Sequence, residues 1–109
     1  TLTATVDLSG YNKATFDFVL TWGAASEIQW YLEEQTSSGV WQRVQGTSSA
    51  VVGTEVVTTY LNRKDIKAVT ASVNWPSTWD VNYRLARLTV TATGGTTDTV
   101  SVFITKHAI

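Results

Sequence analysis

The acidic and imidazole side chains are the first residues of this sequence to test for chemistry. Glu33 and Glu34 are adjacent, so on an extended strand they point to opposite faces and cannot form an acid–base pair across one glycosidic bond. We interpret both as part of a solvated turn edge. His107, the only histidine, is interpreted as part of a frayed tail. The sequence therefore predicts a noncatalytic protein with no cofactor and no metal ligands.

Aromatic residues indicate a function more clearly. The segment 74–83 is predicted to be a loop, because Pro76 ends the preceding strand. Within it, flat rings stand beside hydrogen-bonding groups, a combination suited to the apolar face and hydroxyl rim of a sugar. The candidate ligand-binding residues are Trp75, Trp79, Asp80, Asn82 and Tyr83. In the alternative interpretation, the rings of Trp75 and Trp79 belong to the core and cap one end of the fold.

Period-two alternation of apolar and polar residues predicts the elements that would position this loop. Phe16, Phe18, Leu20 and Trp22 share one phase, and such patterns recur between short turn signals along the chain. An apolar stripe with helical period over ten residues is not found. These features predict an all-β protein, an immunoglobulin-like antiparallel β-sandwich of about seven to eight strands.

Two regions carry specific turn predictions. Residues 83–106 are predicted to form one β-hairpin, with Gly94 and Gly95 in its turn. In the segment 48–60, Gly53 interrupts a run rich in Val and Thr. This glycine predicts a bulge, a bend, or two short strands joined by a turn.

The apolar phase of each predicted strand defines the expected core. Antiparallel sheets place alternate side chains inside and outside, and Trp22 continues an apolar face as a further core candidate. The residues expected to face inward are Phe16, Phe18, Leu20, Trp30, Leu32, Val73, Leu88, Val90, Val100, Val102 and Ile104.

Composition narrows the class of protein. The 109 residues include eight Lys and Arg against nine Asp and Glu, which argues against nucleic acid as a partner. Cysteine is absent, so packing rather than disulfides must stabilise the fold. Residues 1–109 are predicted to be a single module excised from a larger protein, because methionine is absent and the sequence begins at Thr1. Apolar runs are too short to predict a membrane span.

The C-terminal third also resembles a known family. A valine strand ending in Asn74, an alternating strand opened by Arg84, the turn at Gly94 and a final strand from Thr99 are similar to BACON domains, the Bacteroidetes-associated carbohydrate-binding modules. The resemblance implies an accessory module of a secreted, periplasmic or cell-surface bacterial protein. It further implies a polysaccharide or glycoprotein glycan as ligand and neighbouring domains of the parent protein as partners. A structural spacer or protein-interaction module without a sugar ligand remains the alternative function.

Overall fold

The computed structural model describes residues 1–108 and contains ten β-strands in this part of the chain. The strands are β1 (Leu2–Asp7), β2 (Tyr11–Thr21), β3 (Glu27–Gln35), β4 (Trp41–Arg43), β5 (Gln45–Val52), β6 (Glu55–Asn62), β7 (Asp65–Ala68), β8 (Val73–Asp80), β9 (Leu85–Thr93) and β10 (Thr99–Ala108).

Two antiparallel sheets pack face to face. One sheet has five strands in the order β1-β9-β3-β4, with β7 also paired to β3, and the other has three strands in the order β10-β2-β8. Strands β5 and β6 form a separate two-stranded hairpin. The predicted all-β antiparallel sandwich is confirmed, and its two sheets together hold eight strands.

The core lies between the inner faces of the two sheets. Seven of the residues predicted to face inward are buried: Phe16, Phe18, Leu20, Trp30, Leu32, Leu88 and Val90. Val73, Val100 and Val102 are half-buried against them. Alternation within β2 and β3 therefore predicted the centre of the core correctly.

Two residues predicted to be in the core are exposed. Ile104 lies on the inner face of β10, but β10 is an edge strand and the side chain is 37% exposed. Trp22 is 42% exposed because it follows the last residue of β2, where its indole N–H donates to the Ala25 carbonyl across the β2–β3 turn. Both predictions extended a strand face beyond the region that the opposite sheet covers.

The predicted hairpin over residues 83–106 is wrong. Strand β9 pairs with β1 and β3, whereas β10 pairs with β2 in the other sheet. Asp98 attaches the connection between β9 and β10 to the β2–β3 turn. Its Oδ1 accepts hydrogen bonds from the backbone N–H groups of Gly23 at 2.6 Å and Ala25 at 3.3 Å. A Cβ at Gly95 would collide with the Asp98 carboxylate and lie 2.7 Å from the Ala25 nitrogen. The absence of a side chain at Gly95 thus permits the close approach of Asp98 and the β2–β3 turn.

The segment 48–60 forms most of the β5–β6 hairpin, one of the predicted alternatives. Gly53 has φ +65° and Val52 pairs with Glu55, so Gly53 and Thr54 form a two-residue turn. Almost every side chain of the hairpin is exposed, including the large apolar residues Val51, Val52, Val56, Val57, Tyr60 and Leu61. The hairpin therefore projects from the sandwich.

Strand β8 continues through the segment predicted to be a loop. Pro76 pairs with Asp17 in the middle of the strand. Because β8 is an edge strand, the missing proline N–H costs no hydrogen bond within the sheet. The prediction that Pro76 ends the strand is wrong for this reason. Residues 1–108 include no helix that is long and apolar enough to cross a membrane.

Candidate functional site

The two tryptophans predicted as sugar platforms lie on the inner face of β8. Trp79 is 0% exposed and pairs across the sheet with Ala14. Trp75 is half-buried, and its ring stacks on Phe18 with centroids 5.1 Å apart. The prediction that Trp79 presents its ring from a loop is therefore wrong, because strand alternation directs the ring into the core.

A polar network closes the sandwich over Trp79. The Ser77 hydroxyl accepts hydrogen bonds from the indole N–H groups of Trp30 at 2.8 Å and Trp79 at 2.9 Å. It donates to Asp65 Oδ2 at 3.2 Å. Asp65 also accepts two bonds from Arg63, whose guanidinium lies 3.7 Å from the centroid of the Trp79 ring. This network provides a hydrogen-bond acceptor for two buried indole N–H groups and covers the ring of Trp79.

The same network forms the floor of an open groove between β7 and β8, with a volume of about 630 Å³. Its central polar groups are already engaged, since Asp65 accepts three hydrogen bonds and Ser77 uses its hydroxyl as both donor and acceptor. A ligand would have to compete with these internal bonds. We therefore interpret the groove as part of the packing between β7 and β8 rather than as a ligand-binding site.

Asp80 and Asn82 line a different, more enclosed cleft of about 380 Å³, a size typical of small-ligand sites. The cleft lies between the base of the β5–β6 hairpin and the ends of β3, β4 and β8. Its lining residues are Glu34, Gln42, Arg43, Val44, Gln45, Thr47, Tyr60, Asn62, Asp80 and Asn82. Polar side chains and one aromatic ring therefore converge on one concavity.

The hairpin base is positioned by its pairing and by its attachment to the sandwich. Thr47 pairs with Tyr60, and Gln45 pairs with Asn62. These two pairs are separated by two residues along each strand, so their side chains share one face of the hairpin. The Val44 N–H donates to the Leu32 carbonyl at 2.9 Å, which ties the start of the hairpin to β3.

The opposite wall of the cleft contains a buried carboxylate. Glu34 is 3% exposed and its Oε1 accepts a hydrogen bond from the Asn82 backbone N–H at 2.8 Å. Burial raises the pKa of Glu34, although the bond from Asn82 opposes this rise. Within residues 1–108, Glu34 Oε2 accepts no hydrogen bond, and because it is not fully enclosed it can be reached from the cleft. The interpretation of Glu34 as a solvated turn edge is therefore wrong, because β3 continues through it.

The side-chain amides around the cleft are available to a ligand. Gln42, Gln45, Asn62 and Asn82 make no side-chain hydrogen bond to another residue of the described chain. Asp80 has an 86% exposed side chain and lies 3.8 Å from Lys13, a weak surface ion pair. The cleft thus offers donors and acceptors that the fold itself does not use.

The remaining candidates lie elsewhere. Tyr83 is 38% exposed and lines a separate depression with residues of the β3–β4 turn. His107 belongs to β10 rather than to a frayed tail, and its Nε2 lies 2.9 Å from Thr15 Oγ1. Among residues 1–108, no group of three or more His, Cys, Asp or Glu side chains could hold a metal ion.

The structure adds residues that sequence reasoning missed. Glu34 follows Ile28, Trp30 and Leu32 at a spacing of two, so its position in the buried phase was a readable signal. Tyr60 gave no comparable signal, because its place at the cleft depends on how the hairpin attaches to the sandwich. Comparison of the chain with protein-family models, curated proteins and solved structures finds no match.

Replacing Glu34 with glutamine should change how stability depends on pH. Between the ordinary pKa of 4.5 and the raised folded-state pKa, the folded protein binds more protons than the unfolded chain. The Glu34 contribution to the free energy of unfolding therefore falls as pH rises through this window. Glu34→Gln should keep the bond from Asn82 and gain stability relative to the native protein over the same window.

Chemical denaturation from about pH 4 to about pH 8 measures this difference. Glu55→Gln, at an exposed hairpin position, controls for the change in net charge. A Glu34→Gln stability difference that stays constant across the window, or narrows as pH rises, would contradict the assignment of Glu34 as a desolvated carboxylate.

Proposed function

We propose that this chain is a noncatalytic accessory module that binds carbohydrate in the cleft beside Tyr60. The observation that carries the proposal is the exposed Tyr60 ring beside free amide groups and two carboxylates in one concavity. An aromatic ring can pack on the apolar face of a sugar while the polar side chains bond to its hydroxyls. Asp80 and Asn82 retain the role predicted for them, with Tyr60 in place of Trp79.

The sequence resemblance to BACON domains supports the same proposal. On this basis the ligand is a polysaccharide or a glycoprotein glycan, and the module belongs to a secreted, periplasmic or cell-surface bacterial protein. Its other partners are neighbouring domains of the parent protein. The resemblance rests on residues of β8, β9 and β10, while the cleft draws mainly on β3–β6, and the two share only the segment that contains Asp80 and Asn82.

A structural spacer is the second candidate function. The observation that favours it is that Trp75 and Trp79 serve the core, since one stacks on Phe18 and the other is fully buried. A spacer needs no ligand, and its cleft side chains would contact only solvent. Binding experiments on the cleft therefore separate the two functions.

Tyr60→Ala should weaken glycan binding without destabilising the fold. Because the Tyr60 side chain is 65% exposed, we expect its removal to change the free energy of unfolding by less than about 0.5 kcal/mol. A cleft of this size predicts affinity in the roughly micromolar to millimolar range. A glycan array followed by calorimetric titration should show loss of at least about tenfold in affinity, equivalent to about 1.4 kcal/mol.

Tyr83→Ala is the matched control, because Tyr83 is also partly exposed but lies outside the cleft. It should bind glycan as the native protein does. Absence of any array signal for the native protein would favour the spacer function. Equal binding by the native protein and Tyr60→Ala would place the sugar elsewhere.

A further inference from the structure

We propose that the cleft prefers saccharides that carry a protonated amine, with Glu34 Oε2 as the acceptor for the ammonium group. This inference rests on the proposed carbohydrate-binding function and names the class of sugar. Amino sugars whose nitrogen is not acetylated fit this description.

The Glu34 carboxylate is only partly hydrogen-bonded by the protein. Its Oε1 is bound by the Asn82 N–H, while Oε2 lacks a partner in the described chain and the residue lines the cleft. A buried carboxylate is costly unless it is paired and fully hydrogen-bonded. An ammonium group supplies both the opposite charge and the missing donor, whereas a neutral hydroxyl supplies only a donor.

Acidic side chains outnumber basic ones in the lining of the cleft. Glu34 and Asp80 are its acidic residues, and Arg43 is its one basic lining residue within the described chain. The Arg43 guanidinium is held in place by the protein, since Nη2 donates to the Arg63 carbonyl at 2.9 Å and the group lies 3.8 Å from the Tyr31 ring centroid. Its buried Nε has no hydrogen-bond partner in the described chain. The cleft therefore combines two carboxylates with one guanidinium that is partly engaged by the protein.

The surroundings of these groups reinforce the same preference. Lys13 lies outside the cleft lining and approaches Asp80 only to 3.8 Å, with both side chains substantially exposed. Tyr60 adds an aromatic ring, and a cation near the face of such a ring is attracted by its quadrupole. Uronate or sulfate groups would meet two carboxylates against one guanidinium, a net negative charge that disfavours them.

The test compares chitosan oligomers with cello-oligosaccharides of equal length, which differ in carrying an amine or a hydroxyl at the second carbon of each sugar. Calorimetric titration of the native protein at about pH 6, where the chitosan amines are largely protonated, should show about tenfold tighter binding of the chitosan oligomer. Glu34→Gln should reduce this preference to less than about twofold while leaving cello-oligosaccharide affinity nearly unchanged. Glu55→Gln should keep the full preference, because it removes an exposed charge outside the cleft.

A measurement with Tyr60→Ala identifies the site and separates the two proposals. Tyr60-dependent binding of both oligomers with equal affinity would overturn the amine preference and leave carbohydrate binding intact. Retention of the preference in Glu34→Gln would overturn the role of Glu34. Failure of the native protein to bind either oligomer, or any other glycan on an array, would overturn both the preference and the proposed function.

Discussion

Trp79→Ala is expected to lower the free energy of unfolding by about 3–5 kcal/mol, the range for removing a large buried aromatic side chain. The Trp79 ring is 0% exposed, is covered by the Arg63 guanidinium and bonds to Ser77. Its removal leaves a cavity and frees the cation from its aromatic contact. Urea denaturation followed by circular dichroism measures the change.

Tyr60→Ala provides the comparison, because it removes an aromatic ring of similar type from an exposed position. Its stability should match that of the native protein. A Trp79→Ala variant with an unchanged denaturation midpoint and lost glycan binding would restore Trp79 as a sugar platform and contradict the core assignment.

Ser77→Ala should also lower the free energy of unfolding substantially, although it removes only one oxygen atom. The hydroxyl is the acceptor for both Trp30 and Trp79 indole N–H groups. Without it, two buried donors lose their partner, at a cost of roughly 1–3 kcal/mol for each donor. We expect a total loss of about 2–6 kcal/mol in the free energy of unfolding, measured by urea denaturation.

Ser48→Ala controls for the intrinsic effect of the substitution, since Ser48 is exposed on the β5–β6 hairpin. It should change stability by less than about 0.5 kcal/mol. Equal stability of Ser77→Ala and Ser48→Ala would show that the Arg63–Asp65–Ser77 network does not hold the edge of the sandwich together.

The fold class and the centre of the core could be predicted because they depend on local alternation. Phe16 and Phe18 on β2, and Trp30 and Leu32 on β3, repeat at the period of a strand and are all buried. A period-two pattern specifies which side chains share a face. It does not specify which strand lies beside which, and the predictions failed at that level.

The predicted hairpin over residues 83–106 shows this failure. Gly94 and Gly95 between two alternating segments are typical of a hairpin turn. Strand β9 instead has β1 on one side and β3 on the other, and Asp98 directs the chain to the second sheet by binding backbone N–H groups of the distant Gly23 and Ala25. Contacts separated by more than seventy residues in sequence leave no local pattern.

The candidate site was predictable only in part for the same reason. Asp80 and Asn82 were selected because they lie beside aromatic residues in sequence, yet the two tryptophans of that segment, Trp75 and Trp79, pack in the core. Glu34 could have been found, since it continues the buried phase of β3. Tyr60 could not, because the cleft exists only where the hairpin base meets the sandwich.

Chemical-shift mapping by NMR tests the central claim, carbohydrate binding in this cleft, most directly. Backbone amide spectra of the native protein are recorded during titration with chitosan oligomers and, separately, with cello-oligosaccharides. Saturable shifts are expected to centre on Tyr60, Asp80 and Asn82. Saturable shifts confined to the groove between β7 and β8, or no saturable shift with either saccharide, would contradict it.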